Sequence, residues 1–222
     1  MIVCDVTDDA SVSQMLNEVM SNAGRIDLVV NNAGMGLIGG AEESSIAQAQ
    51  GLFNVNVFGI FRVTNGVLPI MRAQAKGRII NISSVNGFLP GPFTAIYTST
   101  KHAVEGYSES LDHEVRALGI QVALVEPAFT RTALEESAAE PDRKCDAYEQ
   151  GRSGMNSVWR HAIATGDTAE EVANTVVRAA TDAAPKLRYT PGKRAGRLRL
   201  MRRFVPEKMF EKSFRKEMKL PA

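Results

Sequence analysis

Short β-forming runs alternate with amphipathic helical segments along this chain, and this alternation restricts its fold more than any other feature. Strands are predicted at residues 2–4, 26–30, 78–83, 120–125 and 187–190. Helices are predicted at residues 10–22, 45–71, 96–117 and 168–182. Neighbouring parallel strands need a long crossover connection, which a helix supplies. The order of segments therefore predicts an α/β fold in which helices cover a parallel sheet.

Residues at the helix ends support these boundaries. Asp8 is of a type preferred just before a helix, and Gly24 and Gly119 are typical of the position just after one. Thr168 and Glu171 have the spacing of a capping box, which begins a helix. Local sequence therefore indicates where three of the four predicted helices begin or end.

The composition is that of an ordinary globular protein. Of 222 residues, 44% are hydrophobic and 23% are charged, which excludes collagen-like, coiled-coil and disordered chains. No apolar run approaches the ~20 residues that cross a bilayer. The two cysteines, Cys4 and Cys145, and the three histidines form no disulfide or metal-ligand pattern. We therefore expect no bound metal and a reducing, cytoplasmic location.

Charge is distributed unevenly along the chain. Residues 186–222 contain 13 lysines and arginines against three glutamates, although the whole chain has a net charge of only +1. The favoured interpretation is a basic tail that packs on an acidic body through Leu198, Met201 and Phe204. The weaker alternative is a contact between the tail and an anionic membrane surface. No nucleic acid partner is expected.

Tyr97 and Lys101 are the first candidates for catalytic chemistry. Their four-residue spacing places the phenol and the ammonium one turn apart on one face of a predicted helix. A fixed positive charge beside a phenol favours the phenolate and lowers its pKa from ~10 toward the working pH. Tyr97 could therefore act as a general acid/base, although such pairs also occur on ordinary helix surfaces.

Two further candidates follow predicted strands. Ser84 comes directly after the strand at 78–83, where an open parallel sheet binds its ligands. A serine there can hydrogen-bond a substrate carbonyl. Residues 31–34 follow the strand at 26–30 and are either an ordinary turn or part of the same ligand site.

Asn56 lies inside the longest predicted helix, where asparagine is a poor helix former. One interpretation is a mildly unfavourable residue that faces solvent. The other is a functional side chain that holds a water molecule near Lys101 and bends the helix locally. The sequence alone leaves both interpretations open.

Taken in order, these residues resemble the motifs of the classical short-chain dehydrogenase/reductase family. The resemblance covers about residues 1–190 and rests on Asp5-Val6, Asn31-Asn32-Ala33-Gly34, Asn56, Ser84, Tyr97, Lys101, Pro127 and Thr132. It implies a Rossmann-like, doubly wound parallel sheet and an oxidoreductase that transfers a hydride between NAD or NADP and an alcohol or ketone. Residues 104–111 and the long tail look most like the hydroxysteroid and retinol dehydrogenase branch.

The resemblance also implies roles for the catalytic group. Tyr97 would exchange a proton with the alcohol or ketone oxygen. Lys101 would lower the pKa of Tyr97 and hold the ribose hydroxyls beside the nicotinamide. Ser84 would position the carbonyl, and Asn56 would anchor a water molecule that relays protons.

A larger set of residues is implied to contact the cofactor. In chain order these residues are Asp5, Val6, Asn31, Ala33, Gly34, Tyr97, Lys101, Pro127 and Thr132. The first two would meet the adenine, and the next three would lie near the adenosine ribose. The last two would bracket the nicotinamide amide.

Two departures from the family pattern qualify this resemblance. Pro127 is followed by Ala128, where the family usually has glycine. More seriously, no Gly-rich phosphate turn of the form TGxxxGxG precedes Ile2, and the glycines at 34–40 follow a later strand. The chain therefore resembles a member of the family that lacks its first two βα units. We expect Met1 to be an internal residue, the run at 26–30 to be a bare edge strand, and dinucleotides to bind this chain poorly.

The missing turn keeps a second function open, namely an inactive fragment of this family or an interaction module. Both NAD and NADP remain candidates, because the residues that meet the 2′-position follow the missing second strand. We expect an incomplete Rossmann-type domain at 1–190, with a substrate lid at about 132–167, and a helical basic tail at 191–222. A second copy of the chain, paired through the helices around Ile60 and Ser108, is a candidate partner.

Overall fold

A parallel sheet of four strands forms the centre of the part of the chain that the computed structural model describes, which is residues 1–132, 138–218 and 220. The strands are β1 (Leu28–Asn31), β2 (Gly77–Ile82), β3 (Ile120–Val125), β4 (Thr130–Arg131), β5 (Asp167–Thr168) and β6 (Arg188–Tyr189). The central sheet has the order β1-β2-β3-β6, and β4 and β5 form a separate parallel pair. The predicted Rossmann-like α/β fold with a parallel sheet is confirmed.

Helices connect and cover these strands. They are α1 (Asp9–Ala23), α2 (Ile46–Phe53), α3 (Gly59–Ala73), α4 (Ala95–Val115), α5 (Glu149–Ala164), α6 (Ala169–Thr181), α7 (Gly192–Phe204) and α8 (Glu207–Glu217). A π-helical turn at Asn54–Phe58 joins α2 to α3 within the helix predicted at 45–71. Helix α5 occupies part of the predicted lid, of which residues 133–137 lie outside the described residues. None of the described helices is both long enough and apolar enough to cross a membrane.

The core consists of two apolar layers, one on each face of the sheet. On one face, Met71 of α3 and Val115 of α4 pack in a cluster with Ile79 of β2. On the other face, Ala179 of α6 packs in a cluster with Ile80 of β2. Adjacent residues of a strand point to opposite faces, so β2 supplies side chains to both layers. The interior strands are rich in isoleucine and valine because both of their faces are covered.

Strand β1 lies at one edge of the sheet, as expected for the run at 26–30. Leu28 and Val30 are 41% and 38% exposed there. The strand predicted at 2–4 is wrong, because these residues have no strand conformation and no ladder partner in the described part of the chain. A β-strand needs a neighbour about 4.8 Å away to pair its backbone N–H and C=O groups.

The basic tail forms two helices, and α7 packs on the body of the protein. Ala195 is fully buried in a cluster with Val85, and Leu198 packs against the same cluster. The predicted packing of Met201 and Phe204 is wrong, since these side chains are 37% and 71% exposed. The helical period explains the difference, because Phe204 lies about half a turn from Ala195, and Met201 stands between that outer side and Leu198.

Gly119→Ala is expected to destabilise the fold more than Gly24→Ala does. Both glycines follow helical turns and have positive φ, 78° and 71°. A Cβ on Gly119 would lie 2.1 Å from the carbonyl oxygen of Ala75, whereas nothing lies within 4 Å of a Cβ on Gly24. Left-handed backbone alone costs an alanine about 1 kcal/mol, and the clash should raise the cost at Gly119 to at least about 3 kcal/mol. Urea unfolding measures both values, and equal losses would contradict this account.

Candidate active site

Tyr97 and Lys101 lie in the first two turns of α4 and form the predicted pair. The Lys101 Nζ atom is 5.7 Å from the centroid of the Tyr97 ring. Nζ also donates a 2.9 Å hydrogen bond to the carbonyl oxygen of Ile82, the last residue of β2. The ammonium is therefore fixed between the end of a central strand and the phenol.

Burial sets the charge state of Lys101. The side chain is buried, which lowers its pKa to about 8, while the charge of Glu105 one turn later opposes this shift. Desolvation penalises the ammonium, so the lysine loses its proton more readily than an exposed one. Lys101 is still mostly protonated at neutral pH and supplies a positive charge beside Tyr97.

Ser84 stands where β2 ends and begins the short 3₁₀ turn Val85–Gly87. Its Oγ atom accepts a 3.2 Å hydrogen bond from the backbone N–H of Asn86. Ser84 and Tyr97 together line two adjoining spaces, a large cleft and a smaller apolar pocket. The two residues therefore line the same candidate reaction space.

A cleft of about 650 Å³ brings most of the predicted catalytic and nicotinamide-contacting residues together. The predicted residues on its walls are Gly34, Ser84, Tyr97, Lys101, Pro127 and Thr132. Helix α6 supplies an apolar wall that includes Val172 and Val176. The cleft lies beyond the carboxyl ends of β2 and β3, the position at which open α/β sheets bind ligands.

Four residues predicted to contact the adenosine part of the cofactor lie outside this cleft. Val6, Asn31 and Ala33 line a second, largely apolar groove of about 380 Å³ beside β1. Asp5 is exposed, and its carboxylate accepts hydrogen bonds from the Thr7 backbone N–H at 2.8 Å and from the Thr7 hydroxyl at 2.7 Å. These hydrogen bonds lower the pKa of Asp5. The structure therefore separates these four residues from the catalytic group.

Asn56 is buried in the π-helical turn, which excludes the interpretation that it faces solvent. Its Oδ1 atom accepts a 2.8 Å hydrogen bond from the Met35 N–H, and its Nδ2 atom donates to the Met35 carbonyl at 2.9 Å and to Thr100 Oγ1 at 3.2 Å. The side chain thus ties the loop after β1 to α4, one residue before Lys101. A π-helical turn at this asparagine agrees with the predicted local departure from a regular helix.

Sequence reasoning missed a buried polar chain that joins β1, β2 and α4. Asn31 Nδ2 donates to Asn81 Oδ1 at 2.8 Å, and Asn81 Nδ2 donates to Ser108 Oγ at 2.8 Å. Ser108 Oγ in turn donates to the carbonyl oxygen of Val104 at 2.7 Å. The available signal was Asn81, an asparagine between the isoleucines of a buried strand, because a buried amide needs hydrogen-bond partners.

Glu126, the residue before Pro127, was also missed, and it lies fully buried among charged groups. Its Oε1 atom accepts a 2.5 Å hydrogen bond from Arg199 of α7 and lies 3.3 Å from Arg188 Nε. Burial raises the pKa of Glu126, and the nearby charge of Glu105 raises it further, while the two arginines oppose both effects. The tail helix is therefore ion-paired to the segment that forms one wall of the cleft.

Arg199→Ala is expected to destabilise the protein by about 2 kcal/mol at pH 8, because it removes the nearest counter-charge of a buried carboxylate. The loss should shrink at pH 5.5. Burial of a carboxyl with a raised folded pKa lowers the stability of the fold as pH rises from the unfolded pKa to the folded pKa. The substitution raises the folded pKa of Glu126 further, so its additional cost appears only at the upper end of this pH range. Urea unfolding at the two pH values measures this difference. Arg197→Ala, an exposed change on the same helix, is the control, and equal losses at both pH values would contradict the ion pair.

Known proteins resemble this chain over most of its length. Residues 1–143 match the family model described as short chain dehydrogenase. An uncharacterised oxidoreductase of Schizosaccharomyces pombe is 33% identical over 218 residues, which cover 97% of this chain and 91% of that protein. A 3-ketodihydrosphingosine reductase of Bacteroides thetaiotaomicron is 41% identical over 137 residues, which cover 62% of this chain and 51% of that protein.

Solved structures share the fold. A short-chain dehydrogenase from Streptomyces avermitilis matches with a TM-score of 0.80 at 31% identity, over 97% of this chain and 79% of that one. A short-chain dehydrogenase/reductase from Burkholderia phymatum in complex with NAD matches with a TM-score of 0.78 at 27% identity, over 91% and 74% of the two chains. The protein ElxO with NADP bound matches with a TM-score of 0.69 at 26% identity, over 84% and 74%.

Proposed function

This chain belongs to the short-chain dehydrogenase/reductase family, and we propose that it catalyses hydride transfer between NAD or NADP and an alcohol or ketone, with Tyr97 as the acid/base. The observation that carries the proposal is the meeting of Tyr97, Lys101 and Ser84 at one cleft. The inactive fragment and the interaction module receive no support from the comparisons, because the named relatives are oxidoreductases.

Tyr97 handles the proton of the reaction. In ketone reduction its phenol donates a proton to the oxygen that becomes the alcohol, and in oxidation its phenolate takes that proton back. The ammonium of Lys101 lies beside the Tyr97 ring and favours the phenolate form over the phenol. The two residues therefore work as a unit, in which Lys101 acts on the substrate through Tyr97.

Ser84 orients the substrate oxygen. Because Ser84 Oγ accepts a hydrogen bond from the Asn86 N–H, its own hydroxyl hydrogen can be donated to the carbonyl of the substrate. Two donors, from Ser84 and Tyr97, would then hold one oxygen and stabilise the negative charge that develops on it. Asn56 positions the start of α4 through Thr100, and its proposed relay water belongs to the same assignment.

The walls of the cleft fit the nicotinamide end of the cofactor, which supplies or accepts the hydride when bound. Lys101 has three N–H donors, of which one is given to Ile82, and it can offer others to the ribose hydroxyls. Pro127 and Thr132 line the same cleft and would flank the nicotinamide amide. The fit rests on a polar end at Lys101 and an apolar wall from α6, which suit a ribose and an aromatic ring.

We assign the adenosine end of the cofactor to the groove beside β1. Val30 and Asn32 line both the cleft and this groove, so the two spaces meet at the sheet edge. Val6 and Ala33 lie on the groove walls, and Gly34 lies on the cleft wall next to the junction. Asp5 would act from the rim, because its carboxylate is held by Thr7.

The substrate pocket favours an apolar alcohol or ketone. Beside Ser84 and Tyr97, its walls include Leu37, Phe129 and Trp159. Trp159 comes from α5, inside the segment predicted as a substrate lid, and packs edge-on against Phe129 with ring centroids 4.9 Å apart. The similar reductase that is named for 3-ketodihydrosphingosine supports a ketone with a long apolar chain.

Isotope transfer tests this function directly. The purified chain is mixed with NADH or NADPH deuterated at the transferable position of the nicotinamide and with a panel of short-chain and long-chain apolar ketones. Mass spectrometry should find deuterium on the carbinol carbon of at least one product, and none with the Tyr97→Phe variant. If no deuterated alcohol forms from any ketone, with either cofactor at saturating concentration, the proposal is rejected for this chain.

A further inference from the structure

One face of α7 is both basic and apolar. We call it the outer face of α7, and it consists of Lys193, Arg197, Leu200, Met201, Arg203 and Phe204. Helix α7 contains six lysines and arginines and no acidic residue. Leu200 and Phe204 are 61% and 71% exposed, although they stand one turn apart on the same side of the helix. Clustered exposed apolar side chains of this kind mark interaction sites on proteins.

The opposite face of α7 contacts the body of the protein, and these contacts keep the outer face exposed to solvent. Ala195 is fully buried against the body of the protein. Arg199 forms the ion pair with Glu126, and the Arg194 guanidinium lies 5.0 Å from the centroid of the Phe129 ring. These contacts fix the rotation of the helix about its axis and keep Leu200 and Phe204 toward solvent.

We propose that the outer face of α7 docks on an anionic lipid surface. Lys193, Arg197 and Arg203 would lie beside the headgroup phosphates, while Leu200 and Phe204 would reach the boundary of the acyl chains. The Arg203 guanidinium lies 5.6 Å from the centroid of the Phe204 ring, so charge and apolar surface occur side by side. A nucleic acid would interact favourably with the positive charges but would not bury the exposed leucine and phenylalanine, whereas an anionic lipid surface would do both.

Docking in this orientation would bring the active site close to the lipid. The inner face of α7 packs in one cluster with Val85 and Ala128, and both of these residues also line the pocket that contains Tyr97. Only the thickness of the helix would then separate the bilayer surface from the pocket wall. An apolar substrate dissolved in the membrane would have a short path to the site.

Sedimentation with vesicles tests the proposal on the full chain. Vesicles of phosphatidylcholine alone are compared with vesicles that contain about 30% phosphatidylserine, at roughly 50 mM and roughly 500 mM NaCl. We expect the protein to pellet with the anionic vesicles at low salt and to be released at high salt. Recovery in the supernatant under all four conditions would overturn the proposal.

Two variants, each with a matched control, locate the contact. Leu200→Ser/Phe204→Ser should weaken partitioning by at least about tenfold through lost apolar burial. Ile46→Ser/Leu118→Ser, which changes two side chains that are 75% and 41% exposed elsewhere, should leave it unchanged. Equal effects of the two pairs would overturn the assignment to α7.

A second double variant tests the contribution of the positive charges on the outer face of α7. Arg197→Gln/Arg203→Gln should weaken partitioning by about tenfold or more, and Arg72→Gln/Lys76→Gln, which removes the same charge from exposed positions of the body, should change it much less. Binding to duplex DNA and the oligomeric state, measured by sedimentation velocity, test the two other possible occupants of this face. Binding to DNA without binding to vesicles, or a dimer that the Leu200→Ser/Phe204→Ser variant dissociates, would overturn lipid as the occupant. Unchanged thermal unfolding of the variants shows that they are folded.

Discussion

Tyr97→Phe is expected to lower kcat by about 100-fold to 10,000-fold while leaving NADH affinity close to that of the wild type. The substitution removes the hydroxyl that exchanges the proton with the substrate oxygen, and it keeps the aromatic ring that packs beside Lys101. Because binding groups on the cleft wall are untouched, the loss should fall on kcat rather than on the dissociation constant of the cofactor. Steady-state kinetics and a fluorescence titration with NADH measure the two quantities.

Tyr107→Phe is the matched control for this experiment. Tyr107 lies on the same helix, and its ring packs 4.2 Å from that of Phe61, centroid to centroid. Its ring packs in the apolar cluster that contains Val57 and Ile60, and it does not line the cleft that contains Tyr97. This variant should keep its kcat and lose only some stability. Retention of more than a tenth of wild-type kcat by Tyr97→Phe would remove Tyr97 from the role of acid/base.

Local chemistry explains the parts of the fold that the sequence predicts well. Asp8 caps α1 by accepting hydrogen bonds from the Ala10 and Ser11 N–H groups, and Thr168 and Glu171 form the predicted capping box. Strand β3 has the predicted limits, because Gly119 ends the helical turn before it and its mostly apolar run ends at Val125, two residues before Pro127. Each of these signals acts within a few residues.

Contacts between distant residues explain what the sequence does not predict. Asn31 hydrogen-bonds to Asn81, which is fifty residues away in the chain. The prediction that Asn31 lies near the adenosine ribose did not include this partner. The buried carboxylate of Glu126 is paired with Arg199 of α7, which is seventy-three residues away in the chain. The strand predicted at 2–4 had suitable residues but needed a neighbour, which no local pattern can supply.

The grouping of the proposed catalytic residues at one cleft was predictable for a different reason. Ser84, Tyr97 and Lys101 carry a spacing that follows from one strand end and one helix turn, so the chain order already implies that they meet. The residues that support them were not predictable in this way. Asn56 was singled out as an unfavourable helix residue, yet its partners, Met35 and Thr100, follow only from the packed loop.

Lys101→Met is expected to lower kcat by about 100-fold and to move the pH profile of alcohol oxidation upward by about 1 to 3 pH units. Oxidation needs the phenolate of Tyr97, and the ammonium 5.7 Å from that ring favours it. Without the charge the phenol releases its proton only at higher pH, so the ascending limb of the profile moves in that direction. Affinity for NADH should also fall several-fold, because a donor for the ribose hydroxyls is lost.

The pKa of Lys101 separates this effect from simple unfolding. Burial lowers it to about 8 from its ordinary value of 10.5, so the folded protein bears the cost of a buried ammonium below pH 8 and is relieved of it as pH rises from about 8 toward 10.5. Methionine has a similar length and no charge to bury, so Lys101→Met should unfold at the same temperature as the wild type or higher at pH 7. Lys76→Met, a change at an exposed lysine, should alter neither rate nor pH profile. A variant at Lys101 that changes only in stability, with the pH profile intact, would show that this lysine does not act on Tyr97.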